Sequence, residues 1–199
     1  MRGVMVGSLP AWDDSPSGPQ TIERPRLEGR LADVMSHRLT LITAGAGFGK
    51  STLLRAWSAA SSSVIHVLSE DDRSPAILMG SLIDALRTRV PGLAHESAAT
   101  VDTFAEDGAA AQASVLAEAL RKRLTRPLII MLDEWEAIAG SPGEASVDAF
   151  LRQAPSRVRI VLSGRSAPSF RLARLRGQGQ ILTLGPSELA FTLAETQQM

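Results

Sequence analysis

Hydrophobic and polar positions follow two patterns along the chain. Short apolar runs without interruption, such as the one from Leu128 to Leu132, are typical of strands that are buried on both faces of a sheet. Elsewhere, apolar residues recur three and four positions apart, which indicates helices with one buried face. The two patterns predict helices at 27–35, 50–60, 75–90, 112–124 and 144–153 and strands at 38–43, 64–68, 128–132, 157–162 and 180–184. Because strands and helices alternate, we expect an α/β fold with a parallel sheet and helices on both faces.

The remaining stretches separate a tail from a folded part. Residues 1–20 are rich in Pro, Gly, Ser and Asp, a composition that predicts a disordered N-terminal tail. We expect one folded domain at 21–199, with an irregular connection at 91–108. A chain of 199 residues with 44% hydrophobic content can bury one full core and little more.

Charge and cysteine content narrow the possible functions. The formal net charge is zero, so the chain lacks the basic footprint of a nucleic-acid surface, and we expect no direct DNA or RNA contact by this segment. There is no cysteine, hence no disulfide framework and no thiolate metal site. No apolar run approaches the roughly 20 residues of a membrane span. The first ten residues are too broken by Gly and Pro for a signal peptide, and we therefore expect a cytoplasmic protein without membrane contact.

A glycine-rich turn directly follows the first predicted strand. Its residues, all of which we assign to nucleotide binding, are Ala44, Gly45, Ala46, Gly47, Phe48, Gly49, Lys50, Ser51 and Thr52. Glycines are needed there because backbone N–H groups converge on phosphate oxygens only where side chains do not intrude. Lys50 adds a charge toward the β and γ phosphates, Ser51 offers a hydroxyl to Mg²⁺, and the following helix directs its positive end at the anion. One departure from the G-x-x-x-x-G-K-[ST] pattern is that its first glycine is Ala44.

Two acids end the apolar run at 128–132. Asp133 and Glu134 would face the loop, because an α/β sheet binds its ligands at the carboxyl ends of its strands. Asp133 suits a role beside Mg²⁺, either through a water or through contact with the groups that hold the ion, and Glu134 is placed to polarise a water for attack on the γ-phosphate. The simpler alternative for each motif alone is an ordinary turn. Together and in this order, the loop and the acids indicate the Walker A and Walker B motifs of a nucleotide-binding site.

A third group of polar residues follows the strand predicted at 157–162. It runs from Ser163 to Ser166 and includes Arg165, whose guanidinium could contact the γ-phosphate by charge-assisted hydrogen bonds and so support catalysis with Lys50 and Glu134. The alternative is a polar strand end with a surface arginine. The basic stretch at 170–176 is best explained as a solvated amphipathic helix.

From about Ile22 to Glu195 the chain resembles a known family of regulators. The matching segments are Arg24 to Leu27, Thr43 to Leu54, Leu132 to Glu134, Val161 to Arg165, Leu172 to Gln178 and Leu189 to Thr192. They are similar to the nucleotide-binding domain of maltose-regulon activator-like proteins, which are large ATP-binding LuxR-family transcriptional regulators of the STAND class of P-loop ATPases. The family loop also usually starts with alanine. Two departures are Gly45, where the family commonly has proline, and Glu134, where a second aspartate is frequent.

The resemblance implies an ATP/ADP switch with slow, Mg²⁺-dependent hydrolysis rather than a metabolic enzyme. It implies that Arg24 and Pro25 meet the adenine and ribose side of the nucleotide. It also implies ATP-dependent self-association in a full-length protein. Residues 21–199 would then be a P-loop ATPase domain without the downstream lid, repeat and DNA-binding domains of the family. Because a glutamate follows the strand aspartate, we expect the three-layer P-loop fold with an additional strand, in which 157–162 lies between 38–43 and 128–132.

Two other classes of function stay open at this point. A small P-loop phosphotransferase would share the loop, although it should carry an arginine-rich lid and usually lacks a glutamate directly after the strand aspartate. A non-binding interaction module is the second alternative. Thermal-shift measurements with a panel of nucleotides separate this second alternative from the others.

Overall fold

A sheet of five parallel strands forms the centre of the part of the chain that the structure describes, residues 24–93 and 108–197 of a computed structural model. The strands are β1 (Leu39–Thr43), β2 (Ser63–Val67), β3 (Leu128–Asp133), β4 (Val158–Gly164) and β5 (Ile181–Leu184). They lie in the order β2-β3-β4-β1-β5 across the sheet. All neighbouring pairs are parallel, so the carboxyl ends of the strands meet at one edge.

The additional strand lies where the sequence predicted it. Leu162 of β4 is paired with Leu41 of β1 on one side and with Leu132 of β3 on the other. The glycine-rich loop after β1 and the acids after β3 therefore emerge on either side of the end of β4. This arrangement confirms the expected strand order and brings the three polar segments to the same edge of the sheet.

Helices precede and connect the strands. They are α1 (Pro25–Glu28), α2 (Leu31–Ser36), α3 (Lys50–Ala60), α4 (Pro75–Arg87), α5 (Gly108–Arg123), α6 (Pro142–Gln153), α7 (Ala173–Gly177), α8 (Pro186–Leu189) and α9 (Leu193–Thr196). Single turns of 3₁₀ helix occur at Glu70–Arg73 and at Trp135–Ala137. Within 24–93 and 108–197, no helix combines the length and the apolar character needed to cross a bilayer.

The two faces of the sheet are covered by cores of different size. Along β3, Ile130 and Leu132 belong to the larger core, which is completed by α4, α5 and α6, whereas Ile129 and Met131 belong to a smaller one. The smaller core is completed by apolar residues of α1, α2, α3 and α8, with Trp57 at its centre. Alternate residues of the strand thus face opposite layers, which explains why the sequence shows an uninterrupted apolar run. The expected three-layer α/β fold is confirmed.

Several boundaries differ from those expected, and one helix is divided. The helix predicted at 27–35 is interrupted after Glu28 because the Leu27 carbonyl accepts from the Arg30 N–H (3.1 Å) and from the Trp57 indole (3.1 Å). These two bonds replace the i+4 bond that would have continued the helix. α4 ends at Arg87 rather than at 90, and α5 begins at Gly108 rather than at 112.

The last part of the domain contains two short helices that hydrophobic periodicity does not predict. α9 begins with a reciprocal cap in which Thr192 Oγ1 accepts from the Glu195 N–H (3.2 Å) and Glu195 Oε2 accepts from the Thr192 N–H (2.8 Å). The tail expected at 1–20 lies outside the described residues, as does most of the connection expected at 91–108.

Candidate functional site

The glycine-rich loop leads from β1 directly into α3. Gly47 and Gly49 adopt φ angles of +83° and +74°, a left-handed region that is open to glycine and strained for residues with a Cβ. Gly49 is the N-cap of α3, and its carbonyl accepts the first helical bond from the Leu53 N–H (2.9 Å). Ser51 and Thr52 lie in the first turn of α3, where N–H groups have no partners within a helix. The loop therefore has the geometry that an anion requires.

The Lys50 ammonium folds back over this loop. Its Nζ donates to the carbonyl oxygens of Ala44 and Gly45, at 2.9 Å in each case. Among the described residues, Lys50 makes no ion pair with a carboxylate. Its positive charge is therefore oriented by neutral groups and stays available for an anionic ligand.

The end of β3 buries a carboxylate that lacks a partner. Asp133 is only 3% exposed, and within the described parts of the chain its Oδ1 has no hydrogen-bond partner. The same is true of Ser163 Oγ on β4, one position beyond the Leu132–Leu162 pair. Buried polar atoms are almost always paired, because an unpaired one loses its hydration without compensation. Two such atoms beside the loop indicate a site for a polar ligand or a cation.

Glu134 has an unusual backbone and a perturbed carboxyl group. With φ 58° and ψ 46°, it is the only non-glycine residue of the described chain with positive φ. Partial burial raises the pKa of Glu134 above its ordinary value. The negative charges of Glu136 and Asp133 and a hydrogen bond to Glu136 raise it further, while nearby Lys50 acts in the opposite direction. A carboxyl group with a raised pKa is a stronger proton acceptor in its ionised form.

A third acid, Glu136, holds the end of β4. Its Oε1 lies 2.8 Å from Arg165 Nε, and its Oε2 accepts from the Arg165 backbone N–H at 3.1 Å. The approach is close because residue 164 is glycine: a Cβ there would lie 2.7 Å from Trp135 Cβ and 2.8 Å from Glu136 Oε2. Sequence reasoning did not select Glu136. The available signal was a further acid two positions beyond Glu134, next to a strand end with a glycine and an arginine.

Arg24 is buried at the tip of the glycine-rich loop and is only 6% exposed. Its Nη1 donates to the Phe48 carbonyl (3.3 Å), and its Nη2 donates to the carbonyls of Leu189 (2.5 Å) and Ala190 (3.1 Å). Its Nε lies 3.6 Å from Glu195 Oε1. Arg24 thus contacts the loop through Phe48, but most of its contacts are with residues 189–195.

The structure brings most of the predicted site residues to one edge of the sheet. This holds for the loop from Ala44 to Thr52, for Asp133 and Glu134, and for Arg165. Pro25 is the first residue of α1. Arg165 is the exception in its contacts, since its guanidinium faces Glu136 and its side chain is 65% exposed. Together, the strand order and the loop that opens α3 define a domain with the P-loop NTPase fold.

Known proteins resemble this chain in sequence and in fold, although no family model matches it. The HTH-type transcriptional regulators MalT of Serratia proteamaculans and Cronobacter sakazakii are 32% and 31% identical to it over 182 residues. Each alignment covers 89% of this chain and 20% of the relative, so the chain spans about one fifth of the length of these relatives. A solved structure titled "Structure of Drosophila ORC bound to DNA" matches 87% of this chain and 44% of that chain with a TM-score of 0.50 and 15% identity, a likeness of fold alone.

The resemblance seen in the sequence motifs is therefore confirmed. Over 89% of its length, the chain is a homologue of one segment of the MalT regulators.

Proposed function

We propose that this chain is a nucleotide-binding regulatory module that takes ATP or ADP with Mg²⁺ at the carboxyl edge of its sheet. The observation that carries the proposal is the buried Asp133 carboxylate, without a partner in the described chain, at the same sheet edge as a loop whose Lys50 makes no ion pair there. Either charge alone is costly to hold near an apolar core. A ligand that brings both an anion and a cation would compensate both.

The chain's own residues divide the binding between them. The N–H groups of residues 44–49 and of the first turn of α3 suit the phosphates, and Lys50 would turn from its loop carbonyls toward the β and γ phosphates. Ser51 and Asp133 are the ligands we assign to Mg²⁺, and the unpaired Oδ1 of Asp133 fits this role. When bound, Mg²⁺ supplies positive charge that offsets the charge of the phosphate oxygens.

Hydrolysis is the finer part of the proposal. Glu134 would orient the attacking water and accept its proton, a role that its raised pKa suits. Arg165 would contact the γ-phosphate by charge-assisted hydrogen bonds. We expect the turnover of the isolated module to be slow, because its site is open to water at the sheet edge.

The similarity to transcriptional regulators supports a role as a switch. Because the relatives are transcriptional regulators, we propose that the nucleotide state of this module controls such a regulator in the cytoplasm. Self-association in the ATP state would be a property of the full-length protein. We assign no DNA contact to this segment.

Substitution of the loop lysine tests the proposal. Lys50→Ala removes one charge-assisted contact, which is worth about 1.5–3 kcal/mol, so we expect a loss of roughly ten- to a hundredfold in affinity for Mg·ATP by calorimetry. Lys122→Ala is a matched control, because it removes the only other lysine, which lies exposed on α5. Equal affinities for wild type and Lys50→Ala would show that the loop lysine does not contribute to nucleotide binding.

The same preparation separates the two alternatives. If the wild-type chain shows no thermal shift with ATP or ADP, the non-binding interaction module is favoured. If phosphate passes from ATP to a small acceptor rather than to water, the phosphotransferase is favoured.

A further inference from the structure

Glu136 contacts Arg165 both at its backbone and at its guanidinium. One carboxylate oxygen accepts from the Arg165 backbone N–H, and the other pairs with Nε of its guanidinium. The hydrogen bond holds the Glu136 carboxylate at the end of β4, and the ion pair directs the Arg165 guanidinium toward it.

The backbone makes this contact possible. Glu136 belongs to the 3₁₀ turn Trp135–Ala137 directly after β3, and Arg165 directly follows β4, the neighbouring strand. Gly164 lets the turn press onto the end of β4, since any Cβ there would meet Trp135 and Glu136 at less than 3 Å. The contact of Glu136 with the Arg165 backbone is therefore built into the packing of two adjacent strand ends.

Glu136 also acts on the proposed water-orienting acid. Its negative charge contributes to the raised pKa of Glu134. The acid that pairs with the residue assigned to the γ-phosphate therefore also influences the residue assigned to the water.

We propose that Glu136 is a positioning residue that competes with the γ-phosphate for Arg165, and thereby sets the preference of the module for ATP over ADP. This inference rests on the proposed function, because it assumes that nucleotide binds at this edge. While Arg165 is paired with Glu136, its positive charge is already neutralised when a γ-phosphate arrives. The Arg165 side chain is 65% exposed and that of Glu136 is 28% exposed, so the pair is weak enough for a phosphate to replace the carboxylate. ADP has no γ-phosphate and leaves the pair intact.

The test is a double-mutant cycle that measures the affinities of the 199-residue chain for Mg·ATP and Mg·ADP. Glu136→Gln keeps the size of the side chain and removes its charge. We expect it to tighten ATP by about two- to fivefold, the value of a partly exposed ion pair, and to leave ADP unchanged. In an Arg165→Gln background, Glu136→Gln should have no effect on ATP, because the arginine for which it competes is gone. Glu118→Gln is the matched control, since it removes the same charge from an exposed pair with Arg121 on α5 and should change neither affinity.

Three results would overturn the inference. The first is weaker ATP binding in Glu136→Gln, which would mean that the acid assists Arg165. The second is an equal gain in both backgrounds, which would reduce Glu136 to a negative charge that repels phosphate through space. The third is an unchanged ATP/ADP ratio in Glu136→Gln. Failure of the wild-type chain to bind nucleotide would instead refute the proposed function, and thermal melting of each variant shows that it is folded.

Discussion

Arg24 and Arg165, the two arginines that sequence motifs place near the nucleotide, differ in almost every physical respect. Arg24 is 6% exposed, spreads its donors over three backbone carbonyls and stacks 4.4 Å from the centre of the Phe191 ring. The side chain of Arg165 is 65% exposed, and within the described part of the chain its guanidinium pairs with Glu136.

The difference separates a structural cation from an adjustable one. A buried guanidinium whose two terminal nitrogens both donate to fixed carbonyls loses much when it moves, because both it and its partners would be left unpaired. An exposed guanidinium exchanges its partner for water or for an anion at little cost. We infer that Arg24 joins the loop to the end of the domain, while Arg165 responds to what the loop holds.

The largest expected effect comes from removing the buried arginine. Arg24→Ala removes the cation from the Leu189 carbonyl and leaves the Ala190 carbonyl and the Glu195 carboxylate with only the more exposed Arg26. We expect the free energy of unfolding to fall by about 3 kcal/mol. Arg26→Ala is the matched control. Arg26 also donates to Ala190 (3.1 Å), but its side chain is 43% exposed, so the loss should stay below about 1 kcal/mol. Urea unfolding measures both, and equal losses would show that burial does not distinguish these arginines.

A somewhat smaller loss of stability is expected from a substitution next to Arg165. Gly164→Ala forces a methyl group against the Trp135 backbone and Cβ, which should lower the free energy of unfolding by about 2 kcal/mol and displace Glu136 from Arg165. Gly80→Ala in α4 is the control, because a Cβ there meets nothing within 4 Å and should stabilise the helix by about 0.5–1 kcal/mol. If Gly164→Ala melts like wild type, the close approach of the two strand ends is not a constraint.

Low pH should reduce the stability that Glu195 provides next to Arg24. The Thr192 N–H bond is the main reason that the pKa of Glu195 lies below its ordinary value; Arg24 and Arg26 lower it further and burial opposes them. A carboxyl group whose folded-state pKa is depressed stabilises the fold above its unfolded pKa, near 4.5, and loses that contribution as the pH falls through the folded value. Below about pH 4.5, we therefore expect wild type to lose stability more steeply than Glu195→Gln.

Unfolding curves at pH 7 and at pH 3 check this difference. Glu118→Gln removes an exposed carboxylate on α5 and should keep the steep loss of wild type. Parallel pH profiles for wild type and Glu195→Gln would show that the charge of Glu195 contributes nothing to the stability of the fold.

Local sequence signals predicted the elements that carry the loop and the acids. The bounds of α3 were predicted without error, because the glycine-rich loop marks its start, and β1 and β3 each deviate by one residue because uninterrupted apolar runs define them. The loop, Asp133 and Glu134 were found because their chemistry depends on residue type at fixed spacing.

Contacts between distant parts of the chain were not predictable in this way. Arg24 and Leu189 are 165 positions apart, and no local pattern states that one buries its guanidinium on the carbonyl of the other. The role of Glu136 depends on Gly164 allowing the ends of β3 and β4 to approach, which only the packed sheet reveals. α8 and α9 were missed because helices of four residues are too short for hydrophobic periodicity.

At position 134, the left-handed backbone favours glycine for stability, whereas the proposed chemistry needs a carboxylate. A residue with a Cβ in this conformation costs about 1 kcal/mol that glycine would not. A library of variants selected only for resistance to heat should therefore drift toward glycine at 134. A library selected for hydrolysis should keep the acid and accumulate compensating substitutions elsewhere, because most natural domains stand only slightly above the stability they need.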